Sequence, residues 1–215
     1  MNVITILEAE IMAFQDKIQT VKGELAEELV DLFYSDKDYI IYKANGPHIC
    51  DRFYINDKQQ IRAVETKCKP CRDKYDDTGV DYDDHVKYLK LWDMYKIRTY
   101  LIFVDEKLGK AYGGWLDQLM APKTIAGVNY PHKAPPDARK MVIMYYPTTN
   151  MTDTFKLTTG QINRFKSLSA KYQSKIELAQ DEIDKLHQEQ RDEWESINSG
   201  LSESAWSDYK DGEKI

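Results

Sequence analysis

The sequence predicts an α/β protein in which an αβββαβ core lies between two long helices with a heptad pattern. Three observations support this prediction. Apolar residues recur at alternating spacings of three and four near both ends of the chain. Short apolar runs bounded by turn residues follow one another in the middle. A stretch with helical periodicity, 82–96, separates the third of these runs from the fourth, so we expect a helix to connect two strands there.

The two ends of the chain each predict a long helix, over residues 1–22 and 158–200, with Thr158-Thr159 as the start of the second. Their heptad positions are Ile4, Leu7, Ile11, Phe14, Ile18 and Val21, and Ile162, Phe165, Ser169, Tyr172, Ile176, Ala179, Ile183 and Leu186. We expect these helices to pack together, within one molecule or between two, and to support a homodimer. A structural role is favoured over direct contact with nucleic acid. The acidic residues 201–215 predict a mobile tail.

The core is predicted over residues 23–157. In chain order it comprises a helix over 23–34, strands over 38–43, 48–56 and 60–68, a helix over 82–96, strands over 98–104 and 111–116, a loop over 121–139 and a strand over 140–146. A turn at Asn45-Gly46-Pro47 precedes the second strand, and a tight turn near Lys58 joins the second strand to the third.

Composition narrows the compartment and the partners. Apolar runs are strand-sized and the N-terminus has no basic start, so we expect neither a membrane span nor a signal peptide. Three cysteines, an odd number, favour a reducing compartment and a cytoplasmic protein. The formal net charge is −6, so any contact with nucleic acid must be local. The stretch 58–74 is the one that is rich in Lys and Arg.

The register of the hairpin brings acidic and basic residues together. If the turn is centred on Lys58, Asp51 lies opposite Glu65, and Lys67 follows on the same face of the strand. The odd-numbered face is otherwise apolar, whereas the even-numbered face is mostly polar. Burying two carboxylates side by side is costly unless a cation or a paired lysine neutralises them. An Asp–Glu–Lys salt-bridge network without chemistry is the alternative interpretation.

Asp51 on the second strand and Glu65-Thr66-Lys67 on the third, within an αβββαβ order, resemble the PD-(D/E)xK nuclease superfamily, which includes restriction endonucleases and Holliday-junction resolvases. The resemblance covers 23–115 and fits small phage or bacterial proteins. It implies a restriction-endonuclease-like core in which Asp51, Glu65 and the backbone carbonyl of Thr66 bind Mg²⁺ or Mn²⁺, and Lys67 approaches the scissile phosphate. Cys50 stands where the family pattern has proline.

Family members often add a glutamate from the first helix and a polar residue from the helix after the third strand. Glu27 is our choice for the first of these, as a catalytic and metal-binding residue, with Glu24 or Glu28 as alternatives. Three residues of the helix over 82–96 are candidates for the second: His85, Lys87 and Tyr88.

The cysteines suggest a second metal site. His48, Cys50, Cys68 and Cys71 form an HxC…CxxC pattern, and in the predicted register the first three share the even-numbered face. Four such ligands suit a structural Zn²⁺. Ordinary thiols beside a histidine are the alternative, and a redox CxxC is disfavoured because it does not begin a helix after a strand.

The function expected from the resemblance is metal-dependent endonucleolytic hydrolysis of phosphodiester bonds, with DNA as the favoured substrate. Contacts with nucleic acid are predicted at Lys58, Lys69, Arg72, Lys74 and Tyr88. The alternative is a non-catalytic binding, assembly or anti-defence protein that uses the same fold and assembles through its coiled-coil helices.

Overall fold

The structure, a computed structural model, describes residues 3–44, 49–135 and 141–211, with side chains to residue 197. The chain forms two compact units: Met1–Ile18 with Ser169–Ile215, and Gln19–Leu168. The fold is mixed α/β, with a long helix at each end and a mixed sheet between them. The α/β class is therefore confirmed. Within the described residues, no helix is both long enough and apolar enough to cross a membrane.

Helices and strands alternate along the chain. The helices are α1 (Val3–Ser35), α2 (Tyr82–Tyr95), α3 (Leu116–Leu119) and α4 (Thr159–Asp211). The strands are β1 (Ile40–Lys43), β2 (Arg52–Ile55), β3 (Ile61–Lys67), β4 (Asp77–Asp81), β5 (Arg98–Asp105), β6 (Lys110–Trp115), β7 (Lys123–Ile125), β8 (Val128–Tyr130), β9 (His132–Lys133), β10 (Ile143–Pro147) and β11 (Thr152–Lys156).

The main sheet has six strands in the order β1-β2-β3-β5-β6-β11. The pair β3–β5 is parallel, and the other neighbouring pairs are antiparallel. A parallel pair needs a crossover connection, and α2 lies in that connection, as the sequence predicted. The remaining strands form a sheet in the order β4-β10-β9 and the hairpin β7–β8.

Both faces of the main sheet are covered, including the even-numbered face of the hairpin, although its residues are mostly polar. On one face, here the α1 face, Tyr54 and Val64 are fully buried and cluster with Leu29 and Val30 of α1. On the opposite face, the α2 face, the side chains of Tyr88 and Leu91 from α2 pack in two further clusters, with Leu101 and Ala63 among the strand residues. A strand buried on both faces lacks the polar–apolar alternation expected of a half-exposed sheet.

The unit formed by the two chain ends has its own apolar cluster. Ile4 and Leu7 of α1 are buried with Ala179 and Ile183 of α4, and Ile11 and Leu186 pack beside them. The heptad positions therefore pack within one chain, which was one of the two expected arrangements. A homodimer stays a prediction.

Several boundaries differ from the expected ones. α1 is continuous across residue 22, and α4 is helical to Asp211, into the predicted tail. The predicted loop over 121–139 contains β7, β8 and β9. β4 and β11 were not predicted. β4 includes Asp77, Thr78 and Gly79, whose residue types are typical of turns, and its pairing with β10 decides its conformation.

Candidate active site

Asp51, Glu65 and Lys67 come together where the β2–β3 hairpin opens. The strands pair Arg52 with Val64 and Ile55 with Ile61, so the predicted register is confirmed. Asp51 immediately precedes β2, and its backbone N–H donates to Glu65 Oε2 over 3.3 Å. Lys67 Nζ lies 2.7 Å from Glu65 Oε1. The three residues that carried the sequence argument therefore share one carboxylate-centred contact.

Glu65 is the most buried member of this group, with 4% of its surface exposed. Burial is the largest cause that raises the pKa of Glu65, and the charge of Asp51 raises it further. The ammonium of Lys67 and the hydroxyl of Tyr88 both hydrogen-bond to this carboxylate and oppose the rise. Glu65 is thus a buried carboxylate that gains from any neighbouring positive charge.

Helix α2 supplies two side chains to the group. Tyr88 is 1% exposed, and its hydroxyl hydrogen-bonds to Glu65. Its contact with nucleic acid stays a prediction. Asp84, one turn earlier, has Oδ2 3.4 Å from Lys67 Nζ and Oδ1 2.8 Å from Lys87 Nζ. Burial pushes the pKa of Asp84 up, but the hydrogen bond from Lys87 and the charge of Lys67 outweigh it and lower this pKa.

Sequence reasoning missed Asp84, although it named His85, Lys87 and Tyr88 on the same helix. The i, i+4 spacing of Asp84 and Tyr88 is the signal that relates them, since such residues lie on one helical face. His85 is buried elsewhere: its Nδ1 lies 2.6 Å from the hydroxyl of Tyr146, and burial lowers its pKa.

Helix α1 brings carboxylates to the other side of the hairpin. Arg52 Nη2 lies 2.8 Å from Glu27 Oε2, and Arg52 Nε lies 3.0 Å from Asp31 Oδ2. The hydroxyl of Tyr54 also donates to Asp31 over 2.7 Å. Burial, followed by the charge of Asp51, raises the pKa of Glu27. Glu27 is therefore repelled by the charge of Asp51 and forms an ion pair with Arg52.

The alternatives to Glu27 differ in position. Glu28 forms an exposed, bidentate ion pair with Arg164 at 3.1 Å, so it is engaged away from the hairpin. Glu24 lines the same cleft as Glu27. Of the three glutamates considered, Glu27 is the one with both a wall position and an electrostatic link to Asp51.

A cleft of about 550 Å³ opens beside these residues. Its charged lining consists of three carboxylates and four cationic side chains: Glu24, Glu27 and Asp51, with Lys43, Arg52, Lys67 and Lys69. Glu65 does not line the cleft, but its carboxylate contacts two residues that do, through the backbone amide of Asp51 and the ammonium of Lys67. The cleft thus carries both signs of charge, with a local cationic excess in a protein whose formal net charge is −6.

The oxygen ligands present suit a hard cation. Mg²⁺ is commonly held by one or two carboxylates together with water and substrate oxygens. Asp51 and Glu65 are near enough for the charge of Asp51 to raise the pKa of Glu65. Thr66, predicted to offer its carbonyl, lies between Glu65 and Lys67 on β3. Among the described residues, no group of three or more His, Cys, Asp or Glu side chains is placed to hold a metal ion.

The cysteines occupy separate surroundings. Cys50 is buried with Ala63 and Leu91 on the α2 face, whereas Cys68 packs against the cluster on the α1 face. The predicted sharing of one face by these two residues is wrong, because Cys50 precedes β2 and strand alternation does not extend to it. Burial raises the pKa of both thiols to about 12. Cys71 Sγ lies 3.4 Å from Asp76 Oδ1. His48 lies outside the described residues, so the Zn²⁺ site stays a prediction.

The remaining predicted contacts with nucleic acid fall into two groups. Lys58 is exposed in the hairpin turn, and Lys69 lines the cleft with its Nζ 3.6 Å from Asp81 Oδ1. Arg72 makes a bidentate ion pair with the fully buried Asp77, and Lys74 lies over the ring of Tyr75. Lys69 is therefore the one of these four that lies at the candidate site.

Comparison of the chain with protein-family models, with curated proteins and with solved structures finds no match.

Proposed function

We propose that the chain is a Mg²⁺- or Mn²⁺-dependent nuclease of the PD-(D/E)xK type that hydrolyses phosphodiester bonds of DNA. The observation that carries the proposal is the convergence of Asp51, Glu65 and Lys67. The Asp51 amide and the Lys67 ammonium lie 3.3 and 2.7 Å from the two oxygens of the Glu65 carboxylate. Convergence of two carboxylates and a lysine at the end of a hairpin is what the family resemblance requires.

The order of elements adds support. Leaving β4 aside, the chain runs from α1 through β1, β2 and β3 to α2 and β5, with β3 and β5 parallel and adjacent. Asp51 precedes β2, and Glu65 and Lys67 end β3. This is the αβββαβ order with which the resemblance began.

Each residue has a role that its contacts suggest. Asp51 and Glu65 would bind the cation, which when bound would polarise the phosphate and activate water. The ammonium of Lys67 would stabilise the negative charge that develops on the phosphate oxygens in the transition state. Tyr88 holds the Glu65 carboxylate from α2, and Arg52 fixes Glu27 at the cleft wall. Such supporting contacts fix the geometry of the groups that react.

The charge of the cleft fits a polyanionic substrate. Four cationic side chains line it beside the carboxylates: Lys43, Arg52, Lys67 and Lys69. Cationic side chains attract the phosphate backbone, and this attraction weakens as salt rises. The carboxylates in the same cleft would repel that backbone unless a divalent cation lay between them.

The test is cleavage of supercoiled, linear and single-stranded DNA, with RNA in parallel, in Mg²⁺, Mn²⁺ or EDTA. We expect cleavage in the presence of either cation and a loss of at least about 100-fold in Asp51→Asn and Glu65→Gln. Both changes keep the shape of the side chain and remove its charge. Lys110→Ala and Asp153→Asn are matched controls, because their exposed ion pair at 2.7 Å joins β6 and β11 outside the cleft.

A second function is favoured by one observation. Lys67 pairs with Glu65, and Arg52 pairs with both Glu27 and Asp31, so each of these three carboxylates already has a cationic partner within the protein. A non-catalytic protein that binds nucleic acid in the same cleft would have this property. Salt-sensitive DNA binding without cleavage in any cation would reject the nuclease and favour this alternative. Equal cleavage by wild type and Asp51→Asn would reject the proposed active site.

A further inference from the structure

One edge of the main sheet is open to a further strand. β1 is an edge strand, and among the described residues no strand pairs with its outer side. Two of its four side chains, Ile40 and Tyr42, are large and apolar, and they are 58% and 56% exposed. Natural proteins commonly block pairing at such an edge with charged side chains, proline or a β-bulge.

The opposite edge of the sheet is blocked in this way. The register of β11 is irregular between Asp153 and Phe155, and its exposed residues include the charged Asp153 and Lys156. β1, in contrast, pairs with β2 without interruption from Ile40 to Lys43. The two edges therefore differ, and β1 is the regular and apolar one.

The hydrogen bonds of the β1–β2 ladder show which backbone groups of β1 point outwards. The N–H of Ala44 donates to the carbonyl of Asp51, and hydrogen-bonded pairs alternate with other pairs along an antiparallel ladder. Ile40 and Tyr42 therefore direct their N–H and C=O groups to β2. The residues between and beside them direct theirs to the outer side.

Three residues have backbone groups on that outer side. Ile41 and Lys43 each offer an N–H and a C=O that have no hydrogen-bond partner among the described residues. Tyr39 offers its carbonyl alone, because its N–H donates to the carbonyl of Tyr34. These groups form a short template for a second strand.

We propose that a second copy of this chain pairs with this edge, with the two β1 strands antiparallel about a two-fold axis through Ile41. The two Ile41 residues would exchange two hydrogen bonds, and the N–H of each Lys43 would donate to the carbonyl of Tyr39 in the other copy. The main sheet would then continue across two molecules. The sheet edge is the interface in this proposal, and the terminal helices are not.

The side chains of β1 are self-complementary in this register. Ile40 of each copy lies opposite Tyr42 of the other, at a position without ladder hydrogen bonds, where side chains come closest. Such a pair of an aromatic and a β-branched residue stabilises a sheet. An axis at Ile40 would put Tyr42 opposite Asp38, and an axis at Tyr42 would put Ile40 opposite Ala44, so both would lose this match.

The charges agree with the same register. Lys43 is the one charged residue of β1, and it lies opposite Tyr39 of the second copy and not opposite another lysine. An ammonium beside an aromatic ring is favourable. Lys43 also lines the cleft, so the second copy would bring an aromatic residue to the cleft wall. The inference does not depend on nuclease activity.

Sedimentation of the full chain in EDTA measures the association. An edge of four residues buries less than the roughly 1,200 Å² of a standard interface, so we expect a weak dimer with a Kd of about 1–100 μM. Ile40→Lys with Tyr42→Lys puts lysines opposite each other and should weaken the Kd at least about tenfold. Ile40→Lys with Tyr42→Glu puts opposite charges there and should restore association at low salt. Leu108→Lys, a control in the turn between β5 and β6 at a side chain that is 59% exposed, should leave the Kd unchanged.

Cysteine cross-linking tests the register. Residues opposite each other without ladder hydrogen bonds have Cα atoms about 4.5 Å apart, within the range of a disulfide. Ile40→Cys with Tyr42→Cys should give a covalent dimer on mild oxidation, and neither single change should do so. A covalent dimer of Tyr42→Cys alone would overturn the register. A monomer up to about 500 μM, or a dimer that both lysines leave intact, would overturn the proposal.

Discussion

Replacement of Lys67 by methionine tests the central contact of the candidate site. Lys67→Met keeps an apolar chain of similar length and removes the ammonium that lies 2.7 Å from Glu65. The carboxylate then remains buried with the Tyr88 hydroxyl and the Asp51 amide as its neutral donors. We expect the free energy of unfolding to fall, because a buried charge has lost its counterion.

The size of the effect follows from burial. The Glu65 side chain is 5% exposed and that of Lys67 is 24% exposed, so the pair is close to a buried one. Breaking a buried ion pair on one side costs roughly 3–5 kcal/mol. The two remaining hydrogen bonds to Glu65 put this case at the lower end, about 3 kcal/mol at neutral pH. Loss of the longer, partly exposed contact with Asp84, at 3.4 Å, adds less than about 1 kcal/mol.

The loss must depend on pH in one direction. The pKa of Glu65 is raised above its ordinary value of 4.5 in the folded protein, so the folded state binds this proton more tightly than the unfolded state. The stability contributed by this group is then highest below pH 4.5 and falls as pH rises towards the folded pKa. Lys67→Met removes a cause that lowers the pKa of Glu65. The pH range over which stability falls therefore extends to higher pH in this variant.

The assay is denaturant unfolding of wild type and Lys67→Met in EDTA between pH 5 and pH 8, repeated in the Glu65→Gln background. We expect a loss of about 3 kcal/mol at pH 8, a smaller loss at pH 5, and less than about 1 kcal/mol in the Glu65→Gln background. Lys110→Met is the control, because its ion pair with Asp153 is exposed and should contribute little at either pH. A loss that is equal at both pH values, or unchanged by Glu65→Gln, would refute the reasoning.

Two further predictions concern the carboxylates around this site. Mn²⁺ should raise the unfolding midpoint of Lys67→Met more than that of wild type, because Glu65 has lost its counterion in this variant. Asp51→Asn should remove the difference. Equal shifts in both proteins would argue against cation binding at Asp51 and Glu65. Arg52→Met should lower the free energy of unfolding by about 3 kcal/mol, since the Arg52 side chain is 6% exposed and holds both Glu27 and Asp31. Unfolding curves of Arg52→Met in the presence and absence of Glu27→Gln check this, and the second change should recover part of the loss.

The hairpin register was predictable because it depends on local information. A polar turn at 57–59 and the pairing of consecutive strands fix which residues lie opposite each other, and the observed pairs agree. That register brings Glu65 and Lys67 to the open end of the hairpin, where Asp51, just before β2, donates its backbone amide to Glu65. The same reasoning fails at Cys50, because the strand begins at Arg52 and alternation cannot be extended beyond it.

The burial of Arg52 could not be predicted from its strand. Its partners Glu27 and Asp31 are 25 and 21 residues earlier in the chain, on a helix whose packing on this face decides the environment. A pattern with Arg, Tyr and Thr on one face predicts a solvated surface unless that helix is known to cover it. Asp84 was missed for a related reason, since its contact with Lys67 depends on how α2 crosses the sheet.

The two faces of the sheet each hold an ion pair of the candidate site, and Asp51 is electrostatically coupled to the carboxylates of both. Arg52 neutralises Glu27 on the α1 face, and Lys67 neutralises Glu65 on the α2 face. Asp51 takes part in no ion pair among the described residues, yet its charge helps to raise the pKa of both Glu27 and Glu65. A cation held at Asp51 would therefore relieve repulsion on both faces at once. For this reason the electrostatic case for cation binding rests on Asp51, although Glu65 is the more deeply buried carboxylate.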